Sequence, residues 1–182
     1  VVGGSNQCYR VVQKGMEQLG HLMKSHVPLP RNFKRFNASV PPQLSACTKF
    51  QNMKDVSAYA SGVFGYFQGI VQYNEIIASG TSVREICENV TKAMKKVSGA
   101  NREMKAMASV FPNSCQESNW DEMNAPGQNV SFTGKKCAPN CGLYRQWIWQ
   151  SCNEFGFFQT TTGANQPFRA IEKWLGWTLA GK

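Results

Sequence analysis

Apolar residues recur at helical spacing through the first half of the chain. Cys8, Val12, Met16, Leu19 and Met23 fall on one face of a helix that Val27-Pro28-Leu29-Pro30 ends. A second helix is predicted to open at Asp55. Along it Ala58, Gly62, Gly65 and Gly69 make a small-residue face that another backbone could approach closely, while Val63, Phe64, Phe67 and Ile70 lie largely away from it. Ser82-Val83-Arg84-Glu85 reads as a capping box, Ser82 accepting from the Glu85 amide and Glu85 returning a bond. Behind it Val83, Ile86, Cys87, Val90, Met94 and Val97 form one apolar stripe, which Ser98-Gly99 ends or bends.

The pattern changes after residue 111. Residues 112–142 disperse Asn, Pro, Gly and Ser among few large apolar side chains and read as a long loop pinned by Cys115, Cys137 and Cys141. An aromatic block begins at Tyr144, where Trp147, Trp149 and Ser151 alternate with Ile148 and Gln150. That alternation favours an extended segment bending into a helix near Glu154, although runs this short fit either state. Trp147, Trp149, Phe155, Phe157 and Phe158 describe an aromatic wall with Arg145 and Glu154 among them, and plain core packing would use the same residue types.

With 182 residues, 42% of them hydrophobic, the chain can bury one core with a loop-rich annex. Residues 56–74 carry no charge, but their Gly and Ser breaks together with Gln68 and Gln72 argue against a membrane span. The formal charge of +9 raises an anionic partner. One basic group is Lys24, Arg31, Lys34 and Arg35; another is Lys92, Lys95, Lys96, Arg102 and Lys105. The second alternates with Met94, Val97, Met104 and Met107, as on the solvated side of an amphipathic helix. No nucleic-acid motif accompanies either group, so no nucleic-acid partner is expected.

Seven cysteines are too many for a reducing cytosol unless they bind metal, and metal fits badly. Cys137-Ala-Pro-Asn-Cys141 has three residues between its cysteines, with no second close pair and no histidine nearby, so neither a metal nor another cofactor is expected. Asn37-Ala-Ser39, Asn89-Val-Thr91 and Asn129-Val-Ser131 match the glycosylation acceptor and, with the cysteines, point to a secretory route. The chain begins at Val1 without a signal peptide, which reads as a mature or excised piece. Spacing leaves the pairing open, since six cysteines alone allow about 15 connectivities.

Catalytic chemistry is hard to assemble. A hydrolase elbow needs Gly-x-Ser-x-Gly, and Gly3-Gly4-Ser5-Asn6-Gln7 puts Gln7 where the second glycine belongs. Ser5 is therefore a better helix cap than nucleophile. His21, His26, Asp55 and Asp121 do not follow the Ser, Asp, His order of a hydrolase chain, and both histidines read as structural or surface residues. No catalytic residue is assigned, and the chain is expected to be inactive alone.

The order of residues in Arg145-Gln-Trp-Ile-Trp-Gln-Ser-Cys-Asn-Glu-Phe-Gly156 carries a resemblance. So do Gly3-Gly-Ser-x-x-Cys8, Ser45-Ala-Cys47, Val71-Gln-Tyr-Asn74 and Thr81-Ser-Val-Arg-Glu-Ile-Cys87. Together they resemble the serine carboxypeptidase family of lysosomal Pro-X carboxypeptidase, dipeptidyl peptidase II and thymus-specific serine protease, nearest the thymus-type branch.

The resemblance implies a mainly α, disulfide-stapled helical bundle, the cap inserted in an α/β-hydrolase-type serine peptidase whose nucleophile lies upstream and whose Asp and His lie downstream. Residues 1–111 would be the cap bundle, 112–142 the pinned loop, 143–168 the aromatic pocket segment returning to the hydrolase domain, and 169–182 an unrecognised tail. It implies pairing of Cys8 with Cys87 and of Cys47 with Cys137, leaving Cys115 and Cys141 as an extra bridge and Cys152 without a partner in this chain.

Trp147, Trp149, Glu154 and Phe157 are the implied substrate-pocket residues, with Phe157 placed against the residue before the scissile bond. Ile148 stands where the dipeptidyl branch has an acidic residue for the substrate's amine, which argues against that specificity. The implied partners are the remainder of the hydrolase domain and a peptide substrate, in a secreted or lysosomal/vacuolar setting. The competing reading is a secreted, non-catalytic basic helical module for an anionic surface or a protein partner.

Overall fold

The first helix shows why the bundle forms. In the computed structural model, which describes residues 4–26, 33–74, 81–128, 141–155 and 167–168, α1 runs Asn6–His26. Ser5 Oγ accepts the N–H of Cys8 at 3.2 Å, satisfying one of the amides that a helix start leaves without a partner. Cys8, Val11, Val12, Met16, Leu19 and Met23 are buried along one face. The chain then forms α2 (Phe33–Ser39), a short 3-10 turn (Pro42–Leu44), α3 (Met53–Gln72), α4 (Val83–Met94), α5 (Arg102–Ala108), α6 (Trp120–Gln128) and α7 (Cys141–Gln150), followed by a π-helical turn at Ser151–Phe155. Among the described residues no helix is long and apolar enough to cross a membrane.

Among the described residues the most extensive helix contact is between α1 and α5. A Cβ built on Gly15 would stand 3.0 Å from Met107 Sδ and 3.1 Å from the Glu103 carbonyl oxygen, so any other residue would have to push α5 back by a few tenths of an ångström. Gln18 completes the joint: its Nε2 donates to Glu103 Oε2 at 2.6 Å, and its Oε1 accepts the N–H of Met104 at 2.9 Å. The glycine face predicted on α3 has no such role. Among the described residues, Gly65 and Gly69 have nothing within 4 Å of a Cβ position and Gly62 meets only the Glu117 carbonyl, at 3.8 Å. The close approach is at Gly15, whose neighbours in sequence are too mixed to advertise it.

Aromatic side chains pack along α3. Phe36, Phe50 and Tyr59 pack with ring centroids 5.6–5.7 Å apart, and the buried Tyr59 hydroxyl donates to the Leu44 carbonyl at 2.6 Å. Tyr66 stacks on Phe111 at 4.4 Å and donates to the Val110 carbonyl.

The complete capping box is at the start of α3: Asn52 Oδ1 accepts from Lys54 and Asp55, while Asp55 Oδ2 accepts from Asn52. At α4 Ser82 Oγ accepts from Glu85, but the return bond expected of Glu85 is not formed. The next amide, the Val83 N–H, donates to Asn74 Oδ1.

Cys8 is bonded to Cys87, the pair the resemblance implies. Cys47 is bonded to Cys115 and not to Cys137, which also rules out the implied bridge from Cys115 to Cys141. The physical reason is a strap. The Cys47 N–H donates to the Gln116 carbonyl at 2.9 Å and the Gln116 N–H to the Ser45 carbonyl at 2.7 Å, a parallel bridge between Ala46 and Gln116 that brings the two thiols together. The fully buried Ser118 hydroxyl extends it, accepting from the Thr48 N–H and donating to the Thr48 carbonyl. Cys137 and the Cys141 side chain lie outside the described residues.

Two further expectations are corrected. Residues 112–142 are not one loop, because α6 occupies Trp120–Gln128 with Asn119 Oδ1 accepting from Asp121 and Glu122. The segment expected to be extended from Tyr144 is helical, so the alternation of Trp147, Trp149 and Ser151 is no pleat: both Trp rings and the intervening Ile148 are exposed, and Ser151 is buried.

Candidate functional site: an exposed aromatic helix

The aromatic segment hangs on the bundle through α6. Asp55, at the start of α3, accepts the N–H of Trp120 at the first residue of α6, and α7 packs against α6. From that support the segment presents its rings outward: Trp147 is 57% exposed, Trp149 59% and Phe155 57%, with Ile148 also exposed. Large aromatic rings contribute most when buried, and several left in water on one short segment mark it as a candidate contact element.

Residues two apart on a helix point to nearly opposite sides, so Trp147 and Trp149 do not converge. Trp149 lines a cleft of about 590 Å³ with Arg145, Ile148, Cys152 and Glu154. Trp147 is outside it and pairs with Phe155 instead, ring centroids 6.4 Å apart. Glu154 is exposed, and Gln150 Nε2 donates to its Oε2 at 3.1 Å; Asn153 Nδ2 donates to the Trp149 carbonyl at 2.9 Å, closing the end of α7. The structure thus joins Trp149 and Glu154 and separates Trp147, while Phe157 lies outside the described residues. Gln150 is a cleft residue that sequence reasoning misses; Gln150 to Glu154 is an i, i+4 pair, visible once the segment is read as helical.

A second cleft, of about 510 Å³, opens between the start of α1, the end of α3 and the start of α4, with the Cys8–Cys87 bridge among its walls. Phe67, Ile70, Val83 and Phe168 make it largely apolar, and Phe168 packs on Phe64 and Phe67 at 5.2 and 5.5 Å.

The polar groups weighed for catalysis are otherwise engaged or set apart. Ser5 caps α1, and Asp55 accepts from Gln51, Asn52 and Trp120. His21 and Asp121 are exposed on α1 and α6, and the His26 side chain is outside the described residues. Free Cys152 is exposed beside the first cleft. Among the described residues no group of His, Cys, Asp and Glu could hold a metal ion. The second basic group has a local role: Arg102 Nη2 donates to the Met94 carbonyl and Lys105 Nζ to the Ser98 carbonyl, placing cations at the end of α4 and in the turn after it.

Comparison with known proteins decides what this arrangement belongs to. The family model for serine carboxypeptidase S28 matches residues 2–172. The chain belongs to that family. Over 181 residues it is 23% identical to the thymus-specific serine protease of Mus musculus, covering 93% of this chain and 32% of the mouse protein. A Caenorhabditis elegans protein described as a serine protease is 29% identical over 131 residues, 63% of this chain and 23% of the worm protein. The chain therefore spans about a quarter to a third of the length of these S28 relatives. No solved structure matches it.

Proposed function

We propose that this chain is the helical cap of an S28 serine exopeptidase, closing over the active-site cleft and restricting it to short peptide ends. The observation that carries the reading is the exposure of large aromatic rings along α7 and the turn after it. Trp147 and Phe155 pair on one side, Trp149 lines the cleft on another, and both sides stand in water while α6 packs against the helix. In this reading Trp147 and Phe155 pack on the hydrolase domain, and Trp149, Ile148 and Glu154 face the substrate.

An apolar wall without an acidic group at Ile148 suits a prolyl residue before the scissile bond better than a free amine. The nucleophile, Asp and His come from outside this chain, and the bridges Cys8–Cys87 and Cys47–Cys115 fit a secreted or lysosomal/vacuolar compartment. The basic group at Arg102 and Lys105, bonded to carbonyls in and after α4, gives little support to a module that reads anionic surfaces.

The test is made in the full-length enzyme. Trp149→Ala is expected to raise KM for prolyl peptides while leaving kcat close to the parent value, since uniform binding is lost and no reacting group is touched. A parent enzyme in which this substitution changes neither constant, with Trp147→Ala equally silent, would remove the pocket wall from the account.

A further inference from the structure

Three sites in the chain match the acceptor for N-linked oligosaccharide, and the fold treats the two described ones in opposite ways. Asn37, on α2, is partly buried and spends both ends of its carboxamide on one residue: Nδ2 donates to the Ala46 carbonyl at 2.9 Å and Oδ1 accepts the Ala46 N–H at 2.9 Å. Ala46 is itself the bridge partner of Gln116 on its other edge, so the side chain of Asn37 takes the place of a neighbouring strand. Asn89 lies on the solvent side of α4, exposed, between Cys87 and Val90, which turn inward, and its carboxamide has no partner among the described residues.

We propose that Asn89 carries an N-linked oligosaccharide and that Asn37, despite its matching triplet, is a clasp that stays unmodified in the folded protein. The attachment joins Nδ2 to the first sugar carbon of a lipid-linked diphospho-oligosaccharide. The bond from that carbon to the diphosphate breaks, the lipid diphosphate leaves, and Nδ2 gives up one proton.

The product is a secondary amide, which strongly prefers the trans form. Trans geometry puts the sugar carbon on the same side as Oδ1. At Asn37 that position belongs to the hydrogen donated to Ala46, because a two-bond contact to one residue uses the oxygen and the hydrogen beside it. Glycosylation and the clasp are therefore mutually exclusive at Asn37. Asn37 and Ala46 are only nine residues apart, so the clasp closes locally and early. At Asn89 the sugar extends from the exposed side of α4, clear of the described residues, and in the proposal this face of α4 is one that no hydrolase domain covers. That last point, and the occurrence of the modification in the native protein, rest on the cap reading and its secretory compartment.

The experiment uses the full-length parent enzyme secreted from eukaryotic cells behind a supplied leader, so that its outcome does not depend on the natural compartment or on peptidase activity. Enzymatic deglycosylation in heavy-oxygen water, followed by peptide mapping, labels each asparagine that held a sugar. Asn89 is expected to be labelled and Asn37 unlabelled. Thr91→Ala should remove one oligosaccharide, and Ser39→Ala, which destroys the triplet but keeps the Asn37 carboxamide, should change neither the sugar pattern nor the secreted yield. Asn37→Gln should keep the sugar pattern and lower the yield and melting temperature. Labelled Asn37 in the secreted, Cys47–Cys115-bonded protein, a bare Asn89, or an Asn37→Gln protein as stable as the parent each overturns the proposal.

Discussion

Asp55 and Trp120 are joined across 65 residues by a bond of 3.1 Å from the Trp120 N–H to Asp55 Oδ1. The same carboxylate accepts from Gln51 at 2.7 Å and from Asn52 at 3.3 Å, and the residue is 6% exposed. One side chain therefore starts α3 and holds the first turn of α6, the helix against which the aromatic segment packs.

Asp55→Ala should leave the Trp120 amide short of its acceptor, while the exposed Gln51 and Asn52 amides can turn to water. A buried donor without its partner costs about 1–3 kcal/mol, and a loss of that size is expected in urea unfolding. Hydrogen exchange should show α6 and α7 losing protection before α1. Equal loss across all helices would mean that Asp55 stabilises α3 alone.

The joint between α1 and α5 predicts a pH dependence. The Gln18 bond to Glu103, with Lys14 and Arg102 adding attraction, holds the Glu103 carboxyl below the ordinary glutamate range. A carboxyl whose folded pKa is depressed contributes stability that is present above its unfolded pKa and is lost as pH falls through the folded value. Gln18→Ala should bring the Glu103 titration back toward the ordinary range in a carbon-detected NMR titration. The stability gap between parent and variant should narrow in acid. A Glu103 titration unmoved by the substitution would assign the shift to the neighbouring charges instead.

Glycine positions should respond with opposite signs. Gly65 and Gly69 sit inside α3 with open space where a Cβ would stand, so Ala at each is expected to stabilise by about 1 kcal/mol through helix propensity. Gly15→Ala should destabilise, because the new methyl meets the Glu103 carbonyl as well as the flexible Met107 side chain. Thermal melts of the three single variants decide this.

Disulfide mapping under non-reducing conditions should return a peptide joining Cys47 to Cys115, and Cys137→Ser should leave it intact. Removing either described bridge opens a long loop, which in the chain-entropy model costs about 4 kcal/mol. Recovery of a Cys47–Cys137 peptide would restore the family pairing and remove the strap as its cause.

The helices legible in the sequence are those whose apolar residues face a core on one side only. The stripe from Cys8 to Met23 and the stripe from Val83 to Val97 are both buried or packed against the core, because hydrophobic burial is what the 3.6-residue period records. The aromatic segment was harder for the opposite reason. Its rings are exposed, so their period reports no core and the alternation of Trp147 and Trp149 could mimic a strand. The Cys47–Cys115 pair was not legible either. It depends on backbone bonds between Ser45, Cys47 and Gln116, which no residue pattern encodes, and on Ser118, an ordinary loop residue by type. Ser5 as a cap was visible because its chemistry is local.

The bridges Cys8–Cys87 and Cys47–Cys115 overlap, each beginning or ending inside the other. A single break in the backbone anywhere from Cys8 to Cys115 therefore leaves both pieces covalently joined: before Cys47 by the first bridge, after Cys87 by the second, and between them by both. A nicked molecule would run with the intact one until a reductant was added. The order of the cysteines alone confers survival of a cut that would separate a sequentially bridged protein into fragments when it falls between the bridges.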